Sequence, residues 1–222
     1  MKGQIILITG ASSGIGRETA YRLAKAEAKL ILTYNRGKAR GEAALKQCRK
    51  LGAADTLLLQ LDVMDNDAIA EAAREVKKKF GAIDFLLNNA GVGVFIPFGK
   101  QTLKDIERQI KTNFEGLIKV TRAFLPTVKK GIVNIASAAG QEAYANMSVY
   151  CGTKFGVRGF TQTIALEYPR LKICCVNPDE TATRLSGFQG RPPAEVAEVI
   201  FRVVSGQVPC SGGNDVNVWE VI

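Results

Sequence analysis

The segment QIILITGASSGIG, residues 4–16, decides the fold, because it leads a short apolar run directly into a glycine-rich turn. Gly10, Gly14 and Gly16 follow the spacing GxxxGxG. Glycines allow a tight turn and let the backbone approach a pyrophosphate, whose charge then meets free N–H groups at a helix start. A strand-to-helix turn without a ligand could use the same glycines, but their position after the first strand favours nucleotide binding.

Similar apolar runs, rich in β-branched residues, recur as QIILIT, KLILTY, TLLLQL, IDFLLN, GIVNIAS, KICCVN and VNVWEV. Helix-like segments separate them at residues 14–26, 37–51, 65–79, 102–125, 149–168 and 193–205. Near-continuous apolar strands that alternate with helices indicate a parallel sheet covered on both faces. The prediction is an α/β protein: a single-domain Rossmann fold over residues 1–222, with a doubly wound, seven-stranded, mostly parallel sheet and helices on both faces.

The composition narrows the chemistry that the chain can perform. Its 222 residues, 46% of them hydrophobic and 23% charged, fit one domain with a substantial core. It has no histidine, and its five cysteines show no CxxC spacing, which excludes a histidine base and leaves no expected metal site. Any catalysis must therefore use Tyr, Lys, Asp, Glu or a bound cofactor.

The formal net charge of +9 comes from cations that are scattered and interleaved with acids, as in KAEAK and EAAREVKKK. No basic run carries interleaved aromatic residues, so no nucleic-acid partner is expected. No apolar run reaches the roughly 20 residues of a membrane span, and no leader precedes the first strand. The sequence predicts a soluble, cytoplasmic protein with no membrane partner.

Polar or small residues follow the third and fourth predicted strands, where ligands bind in such sheets. Asp62 could accept the amino group of an adenine, with Val63 packing on the ring. A helix N-cap is the alternative for Asp62, although Asp65 is the better cap candidate. The fourth strand ends in NNAG, and a bulky side chain there would block a ligand lying across the sheet.

Asn113 falls on the apolar stripe of the helix predicted over residues 102–125. A buried amide must be hydrogen-bonded, because an unsatisfied one costs about 1–3 kcal/mol. Two interpretations fit: a satisfied core asparagine, or an asparagine that holds a water in an active site.

Ser137 ends the fifth strand, and Tyr150 follows thirteen residues later with Lys154 four residues beyond it. Four residues of helix place both side chains on one face. An ammonium beside a phenol favours the phenolate, which predicts a lowered tyrosine pKa. The alternative is a helix whose Tyr and Lys only pack and face solvent.

In their order and spacing, TGASSGIG, Asp62, NNAG, Asn113, Ser137, Tyr150 with Lys154, and NPDETAT resemble the short-chain dehydrogenase/reductase family. The resemblance covers essentially the whole chain and extends to members such as 3-ketoacyl-carrier-protein reductases and carbonyl reductases. It implies an oxidoreductase acting on a carbonyl/alcohol pair. A non-catalytic nucleotide-binding sensor or interaction protein that retained the fold is the alternative.

The resemblance also implies roles for four residues. Tyr150 would exchange the proton with the substrate oxygen, and Ser137 would hydrogen-bond that oxygen. Lys154 would bind the nicotinamide ribose and lower the phenol pKa, and Asn113 would hold a water linking Lys154 to solvent. A homotetramer or homodimer built through residues 102–125 and 149–168 is a further implication.

The end of the second strand predicts the cofactor. Thr33, Tyr34 and Asn35 stand where NAD-preferring members carry an acid, and Arg36 follows. This favours NADP(H), with NAD(H) as the alternative, because Ser13 stands where many NADP-users carry a basic residue. The predicted cofactor contacts are Gly10, Ser12, Ser13, Gly14, Ile15, Gly16, Tyr34, Asn35, Arg36, Asp62, Val63, Asn89, Ala90, Gly91, Tyr150, Lys154, Pro178, Thr181 and Thr183.

Two features depart from the family pattern. Asp179 follows Pro178 where a glycine is usual, which predicts a carboxylate near the nicotinamide. Residues 184–192 form a short substrate loop before the next helix. The chain is expected to end in an edge strand, VNVWEV.

Overall fold

A computed structural model describes residues 1–222. The strands are β1 (Ile5–Ile8), β2 (Lys29–Tyr34), β3 (Asp55–Gln60), β4 (Ile83–Asn88), β5 (Val128–Ile135), β6 (Lys172–Asn177) and β7 (Asn214–Asn217). The helices are α1 (Gly14–Ala24), α2 (Lys38–Lys50), α3 (Asn66–Phe80), α4 (Leu103–Ile110), α5 (Gly116–Phe124), α6 (Ser148–Glu167), α7 (Pro193–Ser205) and α8 (Val218–Val221).

The seven strands form one sheet in the order β3-β2-β1-β4-β5-β6-β7. Every pairing is parallel, so the expected Rossmann architecture is confirmed and the sheet is wholly rather than mostly parallel. The chain reverses its winding direction between β1 and β4, whose ends lie side by side with Ile8 opposite Leu87. Ligands bind at such a switch point, beyond the carboxyl ends of the strands.

Helices cover both faces of the sheet and enclose two main apolar cores. The larger core joins the strands to α1, α2 and α7, through residues such as Leu23, Ala44 and Ile200. The other joins them to α3, α5 and α6, through Ile69, Phe124 and Ile164. Burial of each large aliphatic side chain stabilises the fold by about 1.5–3 kcal/mol relative to exposure, which fixes both layers of helices on the sheet.

The helix predicted over residues 102–125 differs from a regular α-helix at its centre. Thr102 caps α4 in a capping box with Asp105, but a π-helical turn, Lys111–Glu115, separates α4 from α5. Gly116 follows this turn, and a Cβ there would lie only 2.7 Å from the Val63 carbonyl oxygen. The extra residue in the turn shifts the helical phase, so the apolar pattern could not reveal it.

The C-terminal strand begins two residues before the predicted segment VNVWEV and ends four residues before that segment does. β7 occupies the sheet edge only as far as Asn217, and the chain then turns into the short helix α8, which exposes Trp219. A disulfide joins Cys174 in β6 to Cys210, four residues before β7, with 5.2 Å between their Cα atoms. None of the helices combines the length and apolar character needed to cross a membrane.

Candidate active site

The glycine-rich turn, residues 10–16, lies against the end of β4. Gly10 and Gly14 have φ angles of +66° and +56°, which side-chain-bearing residues rarely adopt. A Cβ on Gly10 would lie 3.0 Å from the Ala90 Cα, and one on Gly16 would overlap the Asn89 side chain. Any other residue at Gly10 or Gly16 would therefore fill or distort this cradle.

The start of α1 suits a phosphate. Its N-cap, Ser13, makes no side-chain cap hydrogen bond, and the first turn holds no acidic residue. The first N–H groups of the helix are thus uncapped by the chain itself, and the helix dipole favours an anion there. Ser12, Ser13 and Ile15 are half-buried around this end. The donor set fits the pyrophosphate of a dinucleotide.

Hydrogen bonds join the NNAG segment to the end of β1. Asn89 donates from Nδ2 to the carbonyl oxygens of Thr9, at 2.8 Å, and Gly10, at 3.2 Å. The Thr9 hydroxyl accepts from the backbone N–H groups of Asn89 and Ala90 at 2.9 and 3.0 Å. The sequence gives no signal for the role of Thr9, because a threonine in a strand does not reveal its partners on a distant strand. Asn89 thus holds the two switch-point strands in register.

Of the two acids after β3, Asp65 is the helix cap, as expected from the sequence. Asp65 caps α3 by accepting from the N–H groups of Asp67 and Ala68 at 2.8 and 3.1 Å. Asp62 accepts only from the Met64 N–H, at 3.0 Å, and is half-buried. One carboxylate oxygen of Asp62 therefore has no hydrogen bond within the chain. Val63 beside it is buried.

The end of β2 presents cations rather than acids. Tyr34 is 7% exposed and packs against α2, where a Cβ on Gly41 would lie 3.1 Å from the ring. Its side chain is therefore a packing group, whereas Asn35 and Arg36 are exposed. Arg40, which the predicted contact set omitted, folds back over the turn and donates to the Arg36 carbonyl at 3.3 Å. Two guanidinium groups thus flank this turn.

Tyr150 and Lys154 lie one turn apart on α6, with the Lys154 Nζ 5.6 Å from the centre of the Tyr150 ring. Both are buried, at 8% and 6% exposure. The ammonium donates to the Ile135 carbonyl oxygen at 2.8 Å, which anchors it to the end of β5. The two functional groups are brought together as the spacing predicted.

The expectation of a lowered phenol pKa is wrong for this structure. Burial raises the pKa of Tyr150 to about 12, and the neighbouring Ser137 hydroxyl opposes that rise. Burial also lowers the pKa of Lys154 to about 8. Loss of hydration disfavours the charged form of each group.

Asn113 lies in the π-helical turn and is 1% exposed. Its amide is satisfied by the chain: Oδ1 accepts from the Val92 N–H at 2.8 Å, and Nδ2 donates to the Val92 carbonyl at 2.7 Å and the Thr153 hydroxyl at 3.2 Å. A Cβ on Gly91 would lie 3.5 Å from the Asn113 Oδ1 and 3.9 Å from the Lys154 Nζ. Asn113 therefore shapes the segment next to Lys154, and its side chain matches the satisfied-core interpretation.

Ser137 follows β5, and its hydroxyl accepts from the Ala139 N–H at 3.2 Å. Phe95 meets Tyr150 edge-to-face, with 5.3 Å between ring centres. The sequence gave no signal for Phe95, since it lies in a segment without periodicity. Its ring contributes to the apolar surroundings that raise the pKa of Tyr150.

The loop after β6 is closed by an ion pair. The Asp179 carboxylate binds Arg191 through two bonds of 2.9 and 3.0 Å, and Arg191 also pairs with Glu195 at 2.8 Å. The backbone N–H of Arg191 donates to the Glu180 carbonyl at 2.7 Å. The expected carboxylate beside the nicotinamide is thus engaged in closing residues 180–190, here called the 180–190 loop.

The 180–190 loop reaches the glycine-rich turn. A Cβ on Gly14 would lie 3.2 Å from the Thr183 Cγ2, which puts Thr183 over the start of α1. Thr181 is buried and donates to the Asp179 carbonyl at 2.9 Å. The carbonyl of Pro178 accepts from the Ala138 N–H at 2.8 Å, so the loops after β5 and β6 are joined beside Ser137.

A cavity of about 170 Å³ opens next to these loops. Its walls are Ala138, Gln141, Glu142, Tyr144, Asp179 and Trp219. Nowhere in the structure do three Cys, Asp or Glu side chains come together as a metal-binding group. Ala138 in the cavity wall directly follows the predicted catalytic serine, and of the six lining residues only Asp179 was singled out from the sequence.

Known proteins resemble this chain in sequence and in fold. The family model described as short chain dehydrogenase matches residues 4–192. The NADP-dependent 3-hydroxy acid dehydrogenase of Schizosaccharomyces pombe (strain 972 / ATCC 24843) is 36% identical over 214 residues, covering 91% of this chain and 81% of the relative. Estradiol 17-beta-dehydrogenase 11 of Homo sapiens is 34% identical over 219 residues, covering 92% and 71%.

A solved structure of a short chain dehydrogenase from Shigella flexneri 2a str. 301, complexed with NADP, has a TM-score of 0.91 at 24% identity. It covers 99% of this chain and 98% of its own, which establishes the likeness of fold. Because the family model spans most of the chain and two relatives exceed 30% identity over nine-tenths of it, the chain belongs to the short chain dehydrogenase family.

Proposed function

We propose that the protein is an NADP(H)-dependent oxidoreductase that reduces a ketone or aldehyde to an alcohol, or catalyses the reverse reaction. The observation that carries the proposal is the buried Tyr150–Lys154 pair beside Ser137, at the carboxyl end of the sheet. A non-catalytic nucleotide sensor would need the glycine-rich turn alone. It would have no use for a lysine whose burial disfavours its own charge.

The residues present fit a dinucleotide, with NAD(H) as the alternative to NADP(H). The uncapped start of α1 would hold the pyrophosphate, and Asp62, which has a free carboxylate oxygen, would accept from the adenine. Thr183 would reach the cofactor from above Gly14. When bound, NADP(H) supplies the hydride in reduction and accepts it in oxidation.

The chain's own groups handle the proton and the oxygen. With a pKa of about 12, Tyr150 carries its proton at neutral pH and can donate it to the oxygen of a carbonyl that is being reduced. The Ser137 hydroxyl would donate to the same oxygen and stabilise its developing charge. The Lys154 ammonium would then stabilise the phenolate that remains, because the two groups lie within one helical turn.

Preference for NADP(H) is supported by the charges after β2. Lys38 is paired with Glu42 at 3.9 Å, whereas Arg36 and Arg40 form no ion pair. Either guanidinium can bind a 2′-phosphate in a charge-assisted contact. The name of the Schizosaccharomyces pombe relative, which is NADP-dependent, supports the same choice.

We further propose a homodimer or homotetramer that pairs α4, α5 and α6 with a second copy. Leu103, Ile110, Phe155 and Leu166 expose 79%, 43%, 45% and 77% of their surface on α4 and α6. An apolar cavity of about 310 Å³ lies between Ile110, Phe114 and Val149 on this side. Clustered apolar exposure of this kind marks interaction surfaces. The cytoplasm is the proposed location.

Replacement of Tyr150 by phenylalanine tests the proposed reaction, because it removes only the transferable proton. Turnover of a panel of ketones and aldehydes with NADPH should fall by about 10²- to 10⁴-fold, with the dissociation constant for NADPH nearly unchanged. Tyr168→Phe, at the exposed end of α6, is the matched control and should turn over normally. Turnover of Tyr150→Phe near that of the unmodified protein would refute the proton-transfer role.

A further inference from the structure

The cavity walled by Ala138, Gln141, Glu142, Tyr144, Asp179 and Trp219 opens beside the segment that follows Ser137. Ala138 directly follows Ser137 and hydrogen-bonds the Pro178 carbonyl at 2.8 Å, which joins the cavity to the proposed catalytic group. Its volume of about 170 Å³ is close to the ~150 Å³ cavity that admits benzene. The cavity can therefore take one small ring or a group of that size.

The walls carry negative charge without a cation of their own, although the chain as a whole has a net charge of +9. Asp179 is neutralised by Arg191, and the nearby Arg158 is neutralised by Asp215. Glu142 is exposed and forms no ion pair, and its carboxylate accepts a single hydrogen bond, from the Tyr144 hydroxyl at 3.3 Å. Glu142 therefore leaves one uncompensated negative charge at the cavity.

Two aromatic side chains, Tyr144 and Trp219, line the cavity together with the Glu142 carboxylate. Tyr144 and Trp219 remain 42% and 38% exposed, so part of each side chain is accessible to a ligand. Burial, followed by the charge of Glu142, raises the pKa of Tyr144, and Asp179 adds to the effect. Aromatic faces beside a carboxylate bind organic cations, because the ring quadrupole and the charge attract them together.

We infer that Glu142 and Trp219 determine specificity, and that the substrate is a carbonyl compound or alcohol carrying an amine or quaternary ammonium group, which occupies this cavity. The inference rests on the proposed oxidoreductase function. A carboxylate at the same position is repelled by Glu142. In this respect the substrate differs from the hydroxy acid in the name of the Schizosaccharomyces pombe relative.

Three ketones of similar shape test the inference by turnover: 4-acetyl-N,N,N-trimethylanilinium, acetophenone and 4-acetylbenzoate. With NADPH, kcat/KM should fall in that order, by about tenfold or more from cation to anion. In Glu142→Gln the ratio between cation and anion should approach one. Glu180→Gln, which neutralises an exposed carboxylate on the 180–190 loop outside the cavity, should keep the ratio of the unmodified protein.

Trp219 is the only tryptophan, so its fluorescence reports binding at the cavity without any turnover. Phenyltrimethylammonium should quench it saturably, whereas benzoate and benzyl alcohol should not. The quenching should be lost in Glu142→Gln and kept in Glu180→Gln. Equal quenching by benzoate, or unchanged quenching in Glu142→Gln, would overturn the inference.

The two readouts separate this inference from the proposed function. Failure of all three ketones with NADPH and NADH would count against the proposed function, and the fluorescence titration would still decide the cation site. Turnover without discrimination by charge would refute the cation site and leave the oxidoreductase proposal standing.

Discussion

At the scale of single residues, Lys154 brings an ammonium into surroundings where it is 6% exposed. Burial lowers its pKa to about 8 from 10.5, so the folded chain without cofactor holds this proton less tightly than the unfolded chain. Below about pH 8 the buried ammonium lowers the free energy of unfolding by its full amount. This penalty shrinks as the pH rises from 8 to 10.5. Stability alone would therefore not favour a lysine at this position, whereas the proposed reaction requires one.

Lys154→Met should stabilise the cofactor-free protein at pH 7 while abolishing turnover. A shift of this size corresponds to about 3 kcal/mol, and loss of the charge-assisted bond to Ile135 offsets about 2 kcal/mol, so a net gain of about 1 kcal/mol is expected. Urea unfolding at pH 7 and pH 10 measures it, and the gain should shrink at pH 10. A variant less stable than the unmodified protein at pH 7 would contradict the burial argument.

Arg36 and Arg40 are expected to set the choice between NADPH and NADH. Replacement of either by alanine should lower the ratio of their kcat/KM values by about tenfold, because a charge-assisted contact contributes about 1.5–3 kcal/mol. Lys38→Ala is the control, since Glu42 already neutralises that cation. An unchanged ratio in both arginine variants, or equal efficiency with NADH in the unmodified protein, would refute the assignment.

At the scale of elements, the helices and strands that could be predicted from the sequence are those with a clear local hydrophobic pattern. The seven strands were recognisable because parallel strands buried on both faces are continuous apolar runs. The π-helical turn at Lys111–Glu115 and the helical end of VNVWEV were missed, since a phase shift and a one-turn helix leave the hydrophobic pattern nearly intact. Periodicity fixes the type of a long element more securely than its interruptions or its ends.

Within the site, the residues found from sequence are those at strand ends and at fixed spacing along one helix. Thr9, Arg40 and Phe95 were not found, because their partners lie at the end of another strand, in a loop and on a distant helix, respectively. The direction of the Tyr150 pKa was wrong for a related reason. Spacing gives the distance between two side chains, but burial depends on the whole surroundings.

The 180–190 loop depends on Arg191, which pairs with Asp179 and Glu195. Arg191→Ala should open the loop, seen as faster hydrogen exchange at the amides of Ala182 and residue 191, which bond across its base. Global stability should change by less than about 1 kcal/mol, because the pairs are partly exposed. Arg202→Ala, which removes a similar ion pair with Glu198 on α7, is the control and should leave this exchange unchanged. Unaltered exchange in Arg191→Ala would contradict the clamp.

At the scale of the whole molecule, α4 and α6 each expose two large apolar side chains, and the oligomer proposal predicts a species larger than 24 kDa. Sedimentation at micromolar concentration should detect a dimer or tetramer, and Phe155→Asp should dissociate it by placing a charge on this surface. Phe188→Asp changes a more exposed aromatic residue on the 180–190 loop and should leave the assembly intact. Only a 24 kDa species in the unmodified protein would contradict the proposal.

The Cys174–Cys210 disulfide closes a covalent ring that contains the whole 180–190 loop and α7. A protease that cut once at the exposed tip, near Gly187 and Phe188, would leave two fragments linked through sulfur. The shorter fragment would keep β7 paired with β6, so the nicked chain could retain its sheet until a reductant released the fragment. Because disulfides persist mainly in oxidising compartments and are rare in the cytosol, fragments that stay joined until reduced would count against the proposed cytoplasmic location.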